Sequence, residues 1–323
     1  MSDQGAAGQH MHEDAVEVIG GETIQAGRAA SLWSDAWKQL RRNPMFLVPA
    51  GLVLLLMVMA AFPGLFTSID PRSCTLSDTL GGIPRPSADH WFGLDVQGCD
   101  YYSRVIYGAR VSVFIGISVT VFALAIAIVL GSVAAFYGGW IDSLISRLTD
   151  VWFAIPTILG AIVILTTLGD RVVPIVHWQV KRQGFAQVVL VLIVLGWPQM
   201  TRLVRSSVLQ AKEADYVDAA RVLGASDRRI ILRHILPNAI TPVIVYSTIT
   251  VGIIIAAEAA LSFLGVGLRL PSISWGIQLS IQPGIIRQNP HLAMFPGVFL
   301  SVAVFSFILL GDALRDALDP KLR

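Results

Sequence analysis

The chain is short of charge, of cysteine and of every compact catalytic motif. Only 14% of its 323 residues are Asp, Glu, Lys or Arg, against 54% hydrophobic. That balance is too apolar for a soluble globular domain and points to a membrane protein. No Gly-x-x-x-x-Gly-Lys-Ser/Thr run occurs, and no Lys follows a Gly. The chain therefore has no phosphate-cradling loop, and ATP-driven work would need another subunit. Gly-x-Ser-x-Gly and His-Glu-x-x-His are also missing, which leaves no catalytic residue to nominate. The six histidines form no ligand pattern; His10 and His12 lie in a polar tail and are not taken as a metal site. A net charge of +2 gives no reason to expect nucleic acid. The two cysteines, Cys74 and Cys99, fall in one polar stretch.

What is present is long apolar runs. Residues 1–30 are polar and aperiodic, read as a disordered tail without the apolar core of a signal peptide. Leu32, Trp33, Ala36, Trp37 and Leu40 make one apolar face. This is either an amphipathic helix in the membrane interface or the first turns of the coming span. Six uncharged stretches follow: Met45–Phe66, Val111–Tyr137, Val151–Gly169, Phe185–Met200, Ala239–Leu264 (interrupted only by Glu258) and Leu292–Gly311. Most reach the roughly 20 residues that a helix needs to cross a bilayer; the fourth is short. The expected fold is an all-α integral membrane protein of six transmembrane helices. Its parts are 1–30 tail, 31–66 interfacial helix and first span, 67–110 extracytoplasmic loop, and 111–323 core. With the N-terminus inside, the inner segments hold 15 Lys and Arg and the outer segments 9. This bias places both termini in the cytosol.

The charge-rich stretch between the fourth and fifth spans is the exception to the apolar pattern. Seven Lys and Arg lie between Arg202 and Arg233. Tyr216, Ala219, Ala220 and Leu223 fall at i, i+3, i+4 and i+7, one helical stripe. Gly224 stands where a helix end wants positive φ. Ser226 can cap a second short helix, with Asp227 at its positive end. Leu236 and Pro237 close the stretch, and Pro237 can open the next helix. A two-helix hairpin held at a membrane surface is a docking device; the plain alternative is a basic loop that fixes topology.

Asp218-Ala219-Ala220, three residues, Gly224, nine residues, then His234-Ile235-Leu236-Pro237 resembles the EAA loop of ABC-importer permeases, with Asp218 for Glu and His234 for Ile. Arg233 to Asn238 is similar to the variant of dipeptide and oligopeptide permeases. Arg41 to Pro44, Trp91 to Asp95, Ser103 to Arg110, Ala257 to Gly265 with Ser274-Trp275-Gly276, and Gly311 to Pro320 resemble further signatures of that family, in order. The resemblance implies a type I ABC importer permease, the C-type subunit of a dipeptide or oligopeptide importer. It implies a heterodimer with a homologous permease and two ATPase subunits or domains that bind ATP and Mg. It further implies an extracytoplasmic binding protein delivering peptide, in the cell membrane among its lipids. The coupling loop is then about 206–238. Nickel, glyco-oligosaccharide or haem cargo is open within the same architecture. A stand-alone secondary transporter or channel is the rival class, and no inverted repeat supports it.

Glu258 is the one acidic residue inside a span. It lies about 19 residues from Ala239, or roughly 29 Å at 1.5 Å per residue, near the outer interface. Three readings stand: a solvated outer-gate residue, a partner of Arg110, or a contact for a substrate ammonium. Asp150 and Asp312 are read as boundary charges in water, Gly138-Gly139 as close packing, Pro156 as a kink. Trp140, Trp197 and Trp275 are read as interfacial anchors. Cys99 stands where the resembled family more often has Arg. The oxidising compartment outside favours its pairing with Cys74.

Overall fold

The computed structural model describes Trp37, Leu40–Thr79, 82–168, 184–281 and 283–318. The tail, most of the interfacial stretch from Leu32, and Gly169 lie outside these residues. Within them Trp37 is exposed and Leu40 buried.

Regular structure among the described residues is helical, apart from two isolated bridges in the 67–100 loop. The first helix, α1, is Pro44–Ala61. Asn43 caps it by accepting the Met45 N–H at 2.9 Å, and Pro44 sits at a first-turn position where no N–H is needed. It stops short of the expected Phe66 because Pro63 cannot continue it and opens a 3₁₀ turn, Pro63–Leu65. The second helix, α2, is Tyr101–Tyr137, 37 residues. It starts ten residues earlier than the apolar run, because the Asp100 carboxylate caps it at the Ser103 N–H (2.8 Å). The expected boundary at 110/111 therefore falls inside a helix.

The third expected span, Val151–Gly169, is two helices: α3, Gly139–Phe153, and α4, Thr157–Leu168, bent by 83° at the break between them. Pro156 sits at the break; it lacks an N–H and disfavours the helical region at the residue before it, Ile155, which is a bend. Gly138 and Gly139 have positive φ with open space around them, so they make a turn and not a close contact. The fourth span is longer than its apolar run: α5 is Phe185–Lys212. The hairpin's first arm, α6, is Asp215–Val222. Its second arm is not a short helix. It is the start of α7, Asp227–Phe263, one continuous 37-residue element that includes the fifth span. Short helices α8 (Trp275–Leu279) and α9 (Pro283–Gln288) follow, and α10, His291–Leu318, is the sixth span.

Helices α2 and α7 contribute to all three hydrophobic clusters. One cluster, around Tyr101, Val105 and Trp275, joins α1, α2, α7 and α10 at the end of α2 nearest the disulfide loop. Another, around Phe136, Val204, Val217 and Ile235, joins α2, α5, α6 and α7 at the opposite end. Small residues on α2, including Ser112, Ala123, Ala127 and Ala134, are almost wholly buried. Lipid is as apolar as leucine, so close backbone approach through small residues drives such association. Lys212 ends α5 by donating to the Ala135 and Phe136 carbonyls (3.3 and 2.7 Å), the unpaired last-turn acceptors of α2.

Candidate functional site

Two sites lie along α2, one packed near Phe136 and the other meeting the helix at Ser112, about 36 Å away at 1.5 Å per residue. The first is the hairpin. After Val222 the chain turns through Leu223 and Gly224, whose φ is +78°. The Gly224 N–H bonds the Arg221 carbonyl (3.0 Å) and the Ala225 N–H the Ala220 carbonyl (3.1 Å), the paired bonds of a Schellman motif. Ser226 takes the N-cap backbone position of α7, but its hydroxyl makes no capping bond; only its carbonyl is used, by Ile230.

The expected apolar stripe is split. Ala220 faces inward beside the fully buried Val217 and holds α6 against α7. Tyr216, Ala219 and Leu223 are exposed, and the tip residues Val222 and Leu223 are each 87% exposed. Two large aliphatic side chains at that exposure, flanked by the Asp218–Arg221 ion pair, form a bare apolar knob. The π-helical segment Ile230–Ile235 explains why Pro237 does not break the chain. Widening the ladder pairs the Leu236 N–H with the Ile231 carbonyl, five residues back, and so removes the contact that a proline ring makes with the carbonyl four residues earlier. Leu236 and Pro237 thus sit inside a rigid rod joining the hairpin to the span.

The second site surrounds Glu258. Its carboxylate is fully buried and accepts three serine hydroxyls: Ser112 at 3.1 Å from α2, Ser262 at 2.8 Å from its own helix, and Ser274 at 3.0 Å from the segment before α8. Each hydroxyl in turn accepts a backbone N–H: Trp275 for Ser112 (3.4 Å), Leu268 for Ser262 (3.1 Å), Ile277 for Ser274 (3.3 Å). One carboxylate therefore fixes the whole return from α7 to α8. Gly276 lies against Ala259, where a Cβ would come within 2.7 Å of the Ala259 Cα. Trp275 is buried, not an interfacial anchor, and donates its indole N–H to the Val105 carbonyl at 2.9 Å. Trp140 is exposed.

Glu258 is therefore not a solvated gate residue, and it forms no ion pair with Arg110. Arg110 is exposed, in the wall of a separate cavity. Sequence position missed the serines, which are 146 residues before Glu258 and 4 and 16 residues after it. No spacing in the sequence links these three serines to Glu258. Cys74 and Cys99 are joined by a disulfide, Cα–Cα 4.1 Å, and Cys99 is buried. Around it Asp95 accepts the Gln97 and Cys99 N–H groups and pairs with Arg104, so the loop is tied to α2. On the hairpin's side, Asp150 pairs with Arg202 and Asp142 takes Arg205 on both oxygens, clamping α3 to α5. Asp150 is thus a paired charge, although still half exposed. Among the described residues no cluster of three metal-ligating side chains occurs.

Residues 127–323 match the family described as binding-protein-dependent transport system inner membrane component, and residues 31–78 match the N-terminal transmembrane domain of oligopeptide transport permease C. The chain is similar to the oligopeptide transport system permease protein OppC of Bacillus subtilis, 36% identical over 98% of each chain. It is 38% identical to the dipeptide transport system permease protein DppC of Alkalihalophilus pseudofirmus, over 91% of this chain and 92% of that one. It is also 38% identical to the glutathione transport system permease protein GsiD of Escherichia coli, over 93% and 94%. Its fold is that of a chain from the MetNI methionine ABC transporter in an inward-facing conformation, with TM-score 0.52 over 66% of this chain and 96% of that one at 20% identity. With a family match over more than half its length and relatives of this identity along almost all of it, the chain belongs to the binding-protein-dependent transport system inner membrane components, the permeases of ABC importers.

Proposed function

We propose that this chain is the non-catalytic permease subunit of an ATP-driven importer of dipeptides or oligopeptides. It would form the path with a homologous permease, over two ATPase subunits that bind ATP and Mg, and receive cargo from an extracytoplasmic binding protein. The observation that carries the mechanical half is the apolar knob at Val222 and Leu223, at the end of α6, which packs against the first turns of the unbroken helix α7. An exposed apolar helix tip suits insertion into a groove of a partner. Tyr216, Asp218, Ala219 and Gly224 shape that tip, and Ala220, Leu236 and Pro237 stiffen its base. When ATP closes the ATPase pair, a displacement of the knob is passed along α7 without a hinge at Pro237. The peptide cargo is supported by the oligopeptide, dipeptide and glutathione permeases among the relatives.

The hairpin lies on the cytosolic side in this reading and the disulfide loop outside. The charge bias supports this, and so does the disulfide, which persists in an oxidising compartment. Glu258 serves as the outer anchor of the α7–α8 return. Val222→Asp with Leu223→Asp tests the reading. Pull-down of the ATPase subunits is expected to fall at least tenfold while the permease pair stays assembled; unchanged capture with normal peptide uptake would refute it.

A further inference from the structure

A cavity of about 530 Å3 opens beside the start of α2, within the range of roughly 300–1,000 Å3 typical of small-ligand sites. Three separate segments build it: Asp70 and Arg72 from the loop after α1, Tyr107 and Arg110 one turn apart on α2, and Ile273 before α8. Arg72 and Arg110 both line this one concavity, and neither forms an ion pair among the described residues. Like charges held together raise the free energy unless an anion joins them. Asp70 is the one acidic residue in the lining, and one of its carboxylate oxygens accepts the Arg72 N–H at 2.8 Å. The back wall is apolar, Val111 and Ile273. Each of these directly precedes a serine, Ser112 or Ser274, that donates to Glu258. The buried carboxylate therefore holds the wall of this cavity in place, which accounts for a fixed anchor at that spot.

We propose that this cavity is a subsite that reads the termini of the incoming peptide: Arg72 and Arg110 take the C-terminal carboxylate and Asp70 the α-ammonium. The inference rests on the peptide reading above. Guanidinium and carboxylate match in geometry, and the Tyr107 hydroxyl offers a further donor. The apolar wall receives a side chain without selecting among side chains. Such a site is indifferent to side chains and selects by the spacing of the two termini, hence by peptide length.

The test is equilibrium binding of tri-alanine to the assembled permease–ATPase complex in phosphatidylcholine nanodiscs, without binding protein. The free acid is expected to bind about tenfold more tightly than the C-terminal amide, the scale of one charge-assisted contact. Arg110→Gln and Arg72→Gln should each abolish that preference, and Arg110→Lys should keep part of it. Asp70→Asn should abolish the preference for tri-alanine over its N-acetyl form. Equal binding of the three probes, or preferences that survive every variant, would overturn the proposal. So would a preference that vanishes when phosphatidylglycerol is added, which assigns the arginines to a lipid phosphate. Uptake by the intact wild-type importer separates the two levels. Peptide uptake without terminus discrimination in the binding assay overturns the subsite alone; no uptake of any peptide overturns the cargo reading and the subsite with it.

Discussion

Replacing Glu258 removes a single acceptor on which three buried hydroxyls depend. In Glu258→Gln one oxygen remains, and Ser262 and Ser274 both bond Oε1. The amide then faces Ser112, whose oxygen already accepts the Trp275 N–H and whose own proton has lost its carboxylate oxygen. The Ser112 oxygen has one lone pair left for an amide N–H, so the Ser112 proton and the second amide N–H are left unsatisfied, at about 1–3 kcal/mol each. In Glu258→Ala all three hydroxyls lose their acceptor and a void opens. The sum of three such penalties, up to about 9 kcal/mol, is an upper bound, because water entering the void can satisfy part of it. The expected order of thermal stability for the purified complex is therefore wild type, then Gln, then Ala. The Gln variant should lie several degrees below wild type, at about 2–4 °C per kcal/mol. Ser274→Ala combined with Glu258→Gln should cost less than the sum of the two singles, because both act on one network. Uptake should fall alike for peptides with free and with blocked N-termini, since the carboxylate touches no cargo. A Gln variant with wild-type melting and a selective loss for free-amine peptides would refute the anchor.

Other outcomes follow from the same geometry. At Gly224 the surroundings are open, so a substitution there pays only for left-handed backbone, about 1–2 kcal/mol for most residues. Gly224→Asn should retain ATPase capture while Gly224→Val loses it, measured by pull-down. The Cys74–Cys99 bridge closes a 25-residue separation, worth about 3.5 kcal/mol on the chain-entropy model. Cys74→Ser should lower the melting temperature, and the unreduced wild-type protein in denaturant should take up no alkylating reagent. The two-point Arg205–Asp142 contact is partly exposed and merits only about 1 kcal/mol. Exchanging the two residues should recover some of the stability that either single Ala substitution loses, as read from a double-mutant cycle.

Six apolar spans and a charged hairpin were legible because lipid demands long uncharged runs, and nothing else in the chain resembles them. The ends of the spans were not, because a helix continues into water wherever it is capped. Asp100 carries α2 ten residues beyond the apolar run, and Lys212 ends α5 twelve residues past it. Pro156 and Pro237 show why local rules divide. Both forbid an ordinary helical bond, yet one breaks a span by 83° and the other is absorbed in a π turn. The neighbours decide. Ile230 and Ile235 are buried against α2 and α5, which hold the rod straight, while Ile155 is exposed. The disulfide was readable from two lone cysteines and the resemblance. The burial of Glu258 was not, since its depth along α7 says nothing of which face it occupies or of a serine on another helix.

The position of Glu258 on α7 gives the coupling hairpin its consequence. The 37-residue helix α7 begins five residues after Val222, with α6 packed against its first turns, and carries the buried carboxylate near its other end. Between them it has no hinge, since Pro242 lies within the helix and the π segment bonds through Pro237. A push on Leu223 would therefore reach the α7–α8 return as a rigid displacement rather than dissipate along the way. At that far end the Ser112 and Ser274 hydroxyls tie the helix to α2 and to the segment that walls the arginine-lined cavity. Moving the knob thus moves Ile273 relative to Arg72, which sits on the loop that the disulfide and the Asp95–Arg104 pair tie to α2. A cavity with one wall tied to the driven rod through Glu258 and Ser274 and another on a stapled loop changes shape when the rod shifts. That is the property required of a site that must take a peptide on one side of the membrane and release it on the other.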